Sequence, residues 1–106
     1  MRKIQIKSWK AKGLDGKEND EDLTNVLSVL ISNKKPEEIP RGIDNFRLFG
    51  RIVKAFDKAK KDKVLELEEA EYNFIKNDMD KEVPATWGAN KNISEAIESF
   101  LDAKQE

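Results

Sequence analysis

Asp44-Asn45-Phe46-Arg47-Leu48-Phe49-Gly50-Arg51-Ile52-Val53-Lys54-Ala55-Phe56-Asp57-Lys58-Ala59-Lys60 is the stretch whose pattern decides the fold class. At about 100° of rotation per residue, Leu48, Phe49, Ile52, Val53, Phe56 and Ala59 fall on one side. Arg47, Arg51, Lys54 and Lys58 fall on the other. Such a division predicts an amphipathic helix over about residues 44–60 that buries its apolar face. Asp44 is its expected N-cap, with Ile43 placed to staple against Leu48. Gly50 lies where the two faces meet. Glycine inside a helix costs about 1 kcal/mol relative to alanine, so the position suits a close approach to the backbone, with tolerated drift as the plain alternative.

The flanking sequence predicts three more helices and a small β element. Ile4 and Ile6 alternate with Gln5 and Lys7, a strand pattern, and Val64-Leu65-Glu66-Leu67 is its expected partner. Trp9 closes the first strand, and Gly13-Leu14-Asp15-Gly16 supplies turn chemistry. Leu23, Val26, Leu27, Leu30 and Ile31 share one face of a first helix over about 20–32, with Asn19 or Asp20 as cap and Asn33 as stop. Val29 adds apolar surface off that stripe. Pro36 and Pro40 forbid a long helix in the connector that follows. A third helix is expected over about 68–79, with Ala70, Phe74, Ile75 and Met79 inward. The last begins at Asn92, with Glu95 completing a capping box, and turns Ile93, Ala96, Ile97, Phe100 and Leu101 inward. The expectation is one α-rich α+β domain over residues 1–106, with about four amphipathic helices and a two-stranded β element.

Composition excludes more chemistry than it suggests. The chain has no histidine and no cysteine, which removes the commonest general base, the commonest metal ligand and every thiol. No metal and no cofactor are therefore expected. Asp15-Gly16-Lys17-Glu18-Asn19-Asp20-Glu21-Asp22 is acidic, but its glycine and spacing do not fit a calcium loop. No phosphate-binding glycine loop or serine nucleophile motif is present. Glu66, Glu68, Glu69 and Glu71 form the densest acidic group, for which a solvated face is the plain reading and carboxylate catalysis the alternative. The expectation is a protein that is not an enzyme. With 20 basic and 21 acidic residues, the net charge of −1 gives no global field for nucleic acid or membrane. The charged, alternating start lacks a signal-peptide core, and no apolar run reaches bilayer-spanning length, so the expected location is cytoplasmic.

Two surfaces are candidates for recognition. The stripe Arg47, Arg51, Lys54 and Lys58 suits an acidic protein or a phosphate backbone, and equally a solvent face laced to neighbouring acids. Nucleic acid is the lesser alternative, since no aromatic residues interleave with the cations and the preceding connector is too long for a helix-turn-helix. Trp87, in Trp87-Gly88-Ala89-Asn90, is either a plug over the core or an anchor for a partner.

The connector Ile39-Pro40-Arg41-Gly42-Ile43-Asp44, the helix word Phe46-Arg47-Leu48, the run Leu65-Glu66-Leu67-Glu68-Glu69-Ala70-Glu71-Tyr72 and the loop Trp87-Gly88-Ala89-Asn90 occur in a layout that resembles small, largely uncharacterised proteins encoded in phage and prophage genomes. The resemblance transfers no site residues. It implies virion assembly, or regulation through protein contacts, in the host cytoplasm or the virion. The functional expectation is a protein-interaction or assembly module whose partner is another protein or a second copy of itself.

Overall fold

The computed structural model describes residues 1–12, 16–32, 37 and 39–104. Its architecture is α+β and mainly helical, with four α-helices and two small antiparallel sheets. β1 (Arg2–Gln5) pairs with β4 (Val64–Leu67), Ile4 opposite Leu65. The Ile6 N–H donates to Lys63 O at 2.9 Å beyond the strand end. Alternation turns Ile4, Ile6, Leu65 and Leu67 into the core, as the period-2 pattern predicts.

A second strand pair stands where helix was expected to begin. β2 (Trp9–Lys12) pairs with β3 (Glu18–Glu21). The acidic run pairs with lysines at two positions: Lys12 faces Glu18, and Lys10 faces Asp20, with Nζ 2.6 Å from the carboxylate. That ammonium holds the Asp20 carboxyl below its ordinary range. The predicted turn residues 13–15, the stop at Asn33 and Pro36 of the connector lie outside the described residues.

α1 (Leu23–Ser32) thus starts later than expected, and its cap is Asp22 rather than Asn19 or Asp20. The Thr24 N–H donates to Asp22 Oδ1 at 2.8 Å, while the Asp22 N–H donates back to Asn25 Oδ1 at 3.0 Å. This reciprocal pair satisfies two otherwise orphaned donors. The predicted face Leu23, Val26, Leu27, Leu30 and Ile31 is buried throughout, whereas Val29 is exposed.

α2 (Ile43–Asp62) follows Gly42, whose φ of +100° only glycine adopts readily, so Asp44 sits in the first turn rather than at the cap. Its C-terminal half is fixed to the core by Ile52, Phe56 and Ala59. Lys63, in the left-handed conformation at φ 60°, turns the chain from α2 into β4 and donates its N–H to Ala59 O. The inward face differs from expectation: Leu48 and Phe49 are half-buried and Val53 is 51% exposed. The 20-residue helix spans about 30 Å, and before Ile52 it only leans on the core through Leu48 and Phe49, with no residue buried.

α3 (Glu69–Glu82) turns Tyr72, Ile75 and Met79 inward, with Ala70 exposed and Phe74 half-buried. A 3₁₀ turn (Ala85–Ala89) then leads to α4 (Lys91–Leu101). The cap of α4 is Asn90, not Asn92: its side chain accepts from Asn92 N–H at 3.0 Å and Ile93 N–H at 3.2 Å. Phe100 is the fully buried residue of α4.

The parts meet around Tyr72. Its ring stacks on Phe100 at 4.5 Å between centroids, and its hydroxyl donates to Phe100 O at 2.7 Å. The Arg2 guanidinium lies 4.2 Å from the centre of the ring, bonded to Glu69 at 2.6 Å and to Ala103 O. Arg2 holds the Glu69 carboxyl below its ordinary range, chiefly by that hydrogen bond, while burial pushes the Tyr72 phenol above its ordinary value.

Tyr72→Phe should destabilise the fold by about 1 kcal/mol, read from denaturation midpoints. The Glu69 contribution is present above the usual carboxylate range and is lost as pH falls through its depressed value. The Tyr72 contribution is present below the ordinary phenol value and is lost as pH rises through the raised one. Tyr72 is the chain's single tyrosine, so phenolate absorbance reports it alone. Its titration should lie above 10, the value ordinary for phenol.

Candidate functional site

A groove of about 880 Å³ runs along the overhanging half of α2, walled on one side by residues 39–42. Its floor and lips are apolar. Phe46 is 74% exposed, and Ile39 and Val53 are about half exposed. Phe49 sits deeper, its other side closed by an edge-on contact with Phe74 of α3 at 5.2 Å between centroids. Ile43, just outside the groove, is also exposed, so four of the seven large apolar residues most exposed among those described gather here. Singly exposed apolar residues are ordinary on a protein surface, whereas a contiguous group marks a contact surface.

The helical period explains the patch. Ile43, Phe46, Gly50 and Val53 are spaced i, i+3, i+7 and i+10, one line along the helix. That line runs between the core-facing residues Ile52, Phe56 and Ala59 and the basic stripe. α2 therefore carries three sectors rather than the two read from sequence. The third was missed because Val53 was assigned to the core and Phe46 to neither side. The signal lay in the excess of apolar residues over what one face holds.

The structure divides the basic stripe Arg47, Arg51, Lys54 and Lys58. All four are exposed at the residue level. Arg51 reaches Glu71 at 3.4 Å, and Glu71 is buried; Lys58 reaches Glu66 at 3.4 Å. These two cations neutralise acids of α3 and β4. Arg47 and Lys54 have no ion-pair partner among the described residues, and both line the groove. With Arg41 and Arg51 they give it four cations, and no acidic residue among the described ones lines it.

Gly50 lies in the groove, and a Cβ built there meets nothing within 4 Å. No part of the described chain therefore requires glycine at this position. The missing side chain leaves backbone open to the groove.

The other candidates are placed differently. Trp87 is half-buried in the 3₁₀ turn that packs against α4, and it lines neither this groove nor a second one. That second groove, of about 770 Å³, lies between residues 3–9 and α4 and holds Trp9 with charges of both signs, such as Lys3 and Lys7 against Glu95 and Glu98. The acidic group Glu66, Glu68, Glu69 and Glu71 lines neither groove, and three of its members are held by Lys58, Arg2 and Arg51. Among the described residues no group of three or more potential ligands could hold a metal ion, and no helix is long and apolar enough to cross a membrane.

No family model matches the chain, and neither the curated proteins nor the solved structures contain a match.

Gly50→Ala should raise stability by up to about 1 kcal/mol, since the helix gains and no clash arises. Arg51→Gln should lower it by about 1 kcal/mol, because the buried Glu71 carboxylate loses its ion-pair partner. Arg47→Gln and Lys54→Gln should stay within about 0.5 kcal/mol of the parent. Thermal or urea unfolding of the four variants reads all three outcomes.

Proposed function

We propose that this chain is a non-catalytic protein-interaction or assembly module that works through the groove on the N-terminal half of α2. The observation that carries the reading is the exposed line Ile43, Phe46 and Val53 on a helix anchored to the core by Ile52, Phe56 and Ala59. Keeping this apolar surface in water opposes folding economy, and covering it with a partner recovers the loss at roughly 25 cal/mol per Å². The rim adds electrostatic selectivity through Arg47 and Lys54, the two stripe members without an internal partner among the described residues. Arg51 and Lys58 belong to the scaffold in this reading. The layout shared with phage-encoded proteins adds virion assembly, or regulation of host or phage machinery, as the setting of the proposal.

Phe46→Asp combined with Val53→Asp should abolish association with the physiological partner while leaving the unfolding midpoint nearly unchanged, because both side chains are exposed. Affinity capture from the source cells, with native mass measured by light scattering, compares the double variant with the parent. A control variant, Glu95→Lys in the second groove, should retain the captured protein or the oligomer. Loss in the control and retention in the double variant would transfer the function to the other surface.

A further inference from the structure

The groove also carries information about what fills it. Its exposed apolar line runs from Phe46 to Val53 over about 10 Å, the length of roughly two turns of an apposed helix. Gly50 lies between them on the same line, where an absent side chain lets a second backbone come close. Close approach of this kind favours a helix crossing α2 over an extended peptide, since no free strand edge borders the groove among the described residues. The charge is one-sided, with Arg41, Arg47 and Lys54 around the apolar line and no described acid among them.

Resting on the interaction-module reading, we infer that the occupant is an amphipathic helix of another protein, with an apolar stripe flanked by aspartate or glutamate. The apolar stripe seats between Phe46 and Val53 and crosses closest at Gly50. The flanking carboxylates pair with Arg47, Lys54 and Arg41, exposed cations at a rim that the bound helix would cover. A second copy of the chain is disfavoured by the same charge, because an isologous contact sets Arg41, Arg47 and Lys54 against their own copies. A nucleic acid strand is disfavoured by the aliphatic lips Ile39 and Val53, and by the diversion of Arg51 and Lys58 to Glu71 and Glu66.

The test is selection of displayed helical peptides against the full chain. The library fixes leucine along one helical stripe and randomises the flanking positions among acidic, basic and neutral residues. Counter-selection uses the Phe46→Asp variant. The expected result is enrichment of aspartate and glutamate at the flanks, with affinity of a synthesised winner falling about tenfold or more on Arg47→Glu with Lys54→Glu. That charge-reversed protein should in turn prefer the lysine-flanked version of the same peptide. Gly50→Leu should weaken the winner by a similar factor, although the position takes part in no ion pair and a Cβ there meets nothing within 4 Å among the described residues of its own chain. Enrichment of neutral or basic flanks would overturn the inference. So would an empty selection accompanied by salt-sensitive binding of a single-stranded oligonucleotide, by concentration-dependent dimerisation, or by neither. If the selection fails while Phe46→Asp still abolishes the cellular partner, the interaction module stands and its acidic-helix occupant falls. If that variant retains the partner as well, both fall.

Discussion

The hydroxyl of Tyr72 is a polar group on a fully buried ring, and satisfying it constrains the molecule from several sides. A phenol without a partner in an apolar interior costs more than the ring gains by packing less tightly elsewhere. Its partner is the carbonyl of Phe100, so α3 and the end of α4 have a fixed separation and a fixed rotation. The ring face then receives Arg2, whose guanidinium bridges Glu69 at the start of α3 and the carbonyl of Ala103 after α4. Three elements are thereby locked: β1, α3 and α4. β1 in turn fixes β4 through the Ile4–Leu65 register, and β4 follows α2 after the single left-handed residue Lys63. The position of α2 is inherited from a hydrogen bond made elsewhere.

That inheritance reaches only one end of the helix. Ile52, Phe56 and Ala59 are held against β4 and α3, while the first two turns extend past them. Before Ile52 only Leu48 and Phe49 lean on the core, and the line Ile43, Phe46 and Val53 stays exposed. The groove lies along that line, with the connector at residues 39–42 supplying its second wall. Apart from Leu48, Phe49 and Arg51, which touch the core or α3, the overhanging end tolerates substitution at its exposed positions. Recognition and stability are separated along a single helix.

Much of this was legible in the residues. The period-2 pattern of Ile4 and Ile6 and the run at 64–67 specified the β1–β4 pair, and the stripe from Leu23 to Ile31 specified the buried face of α1. Local rules failed where a tertiary partner outweighed them. Glu18–Glu21 reads as an acidic helix start, yet it is a strand paired with β2, Lys10 across from Asp20. Asn92 and Glu95 spell a capping box, yet Asn90 caps, since the preceding 3₁₀ turn delivers its side chain to the free N–H groups. Tyr72 escaped notice because its hydroxyl disguises a core position, and its partner is a backbone carbonyl that no sequence pattern marks. The candidate site was half legible. Arg47 and Lys54 stood in the stripe, but only the fold shows that Arg51 and Lys58 are occupied and that Phe46 and Val53 face outward.

The pairing of β1 with β4 also sets an order of events during synthesis. Ile4 leaves the ribosome roughly sixty residues before Leu65 does, an interval of about 3 to 12 s at ordinary rates of translation. Through that time Ile4 and Ile6 have no strand to join, while the β2–β3 hairpin and α1 have all the residues they need. Arg2 waits longer still, since Tyr72 and Ala103 come after. The nascent chain therefore passes through a stage in which locally formed pieces carry uncovered apolar side chains. A chain ending before Val64 keeps the β2–β3 pair but leaves β1 with no strand to join.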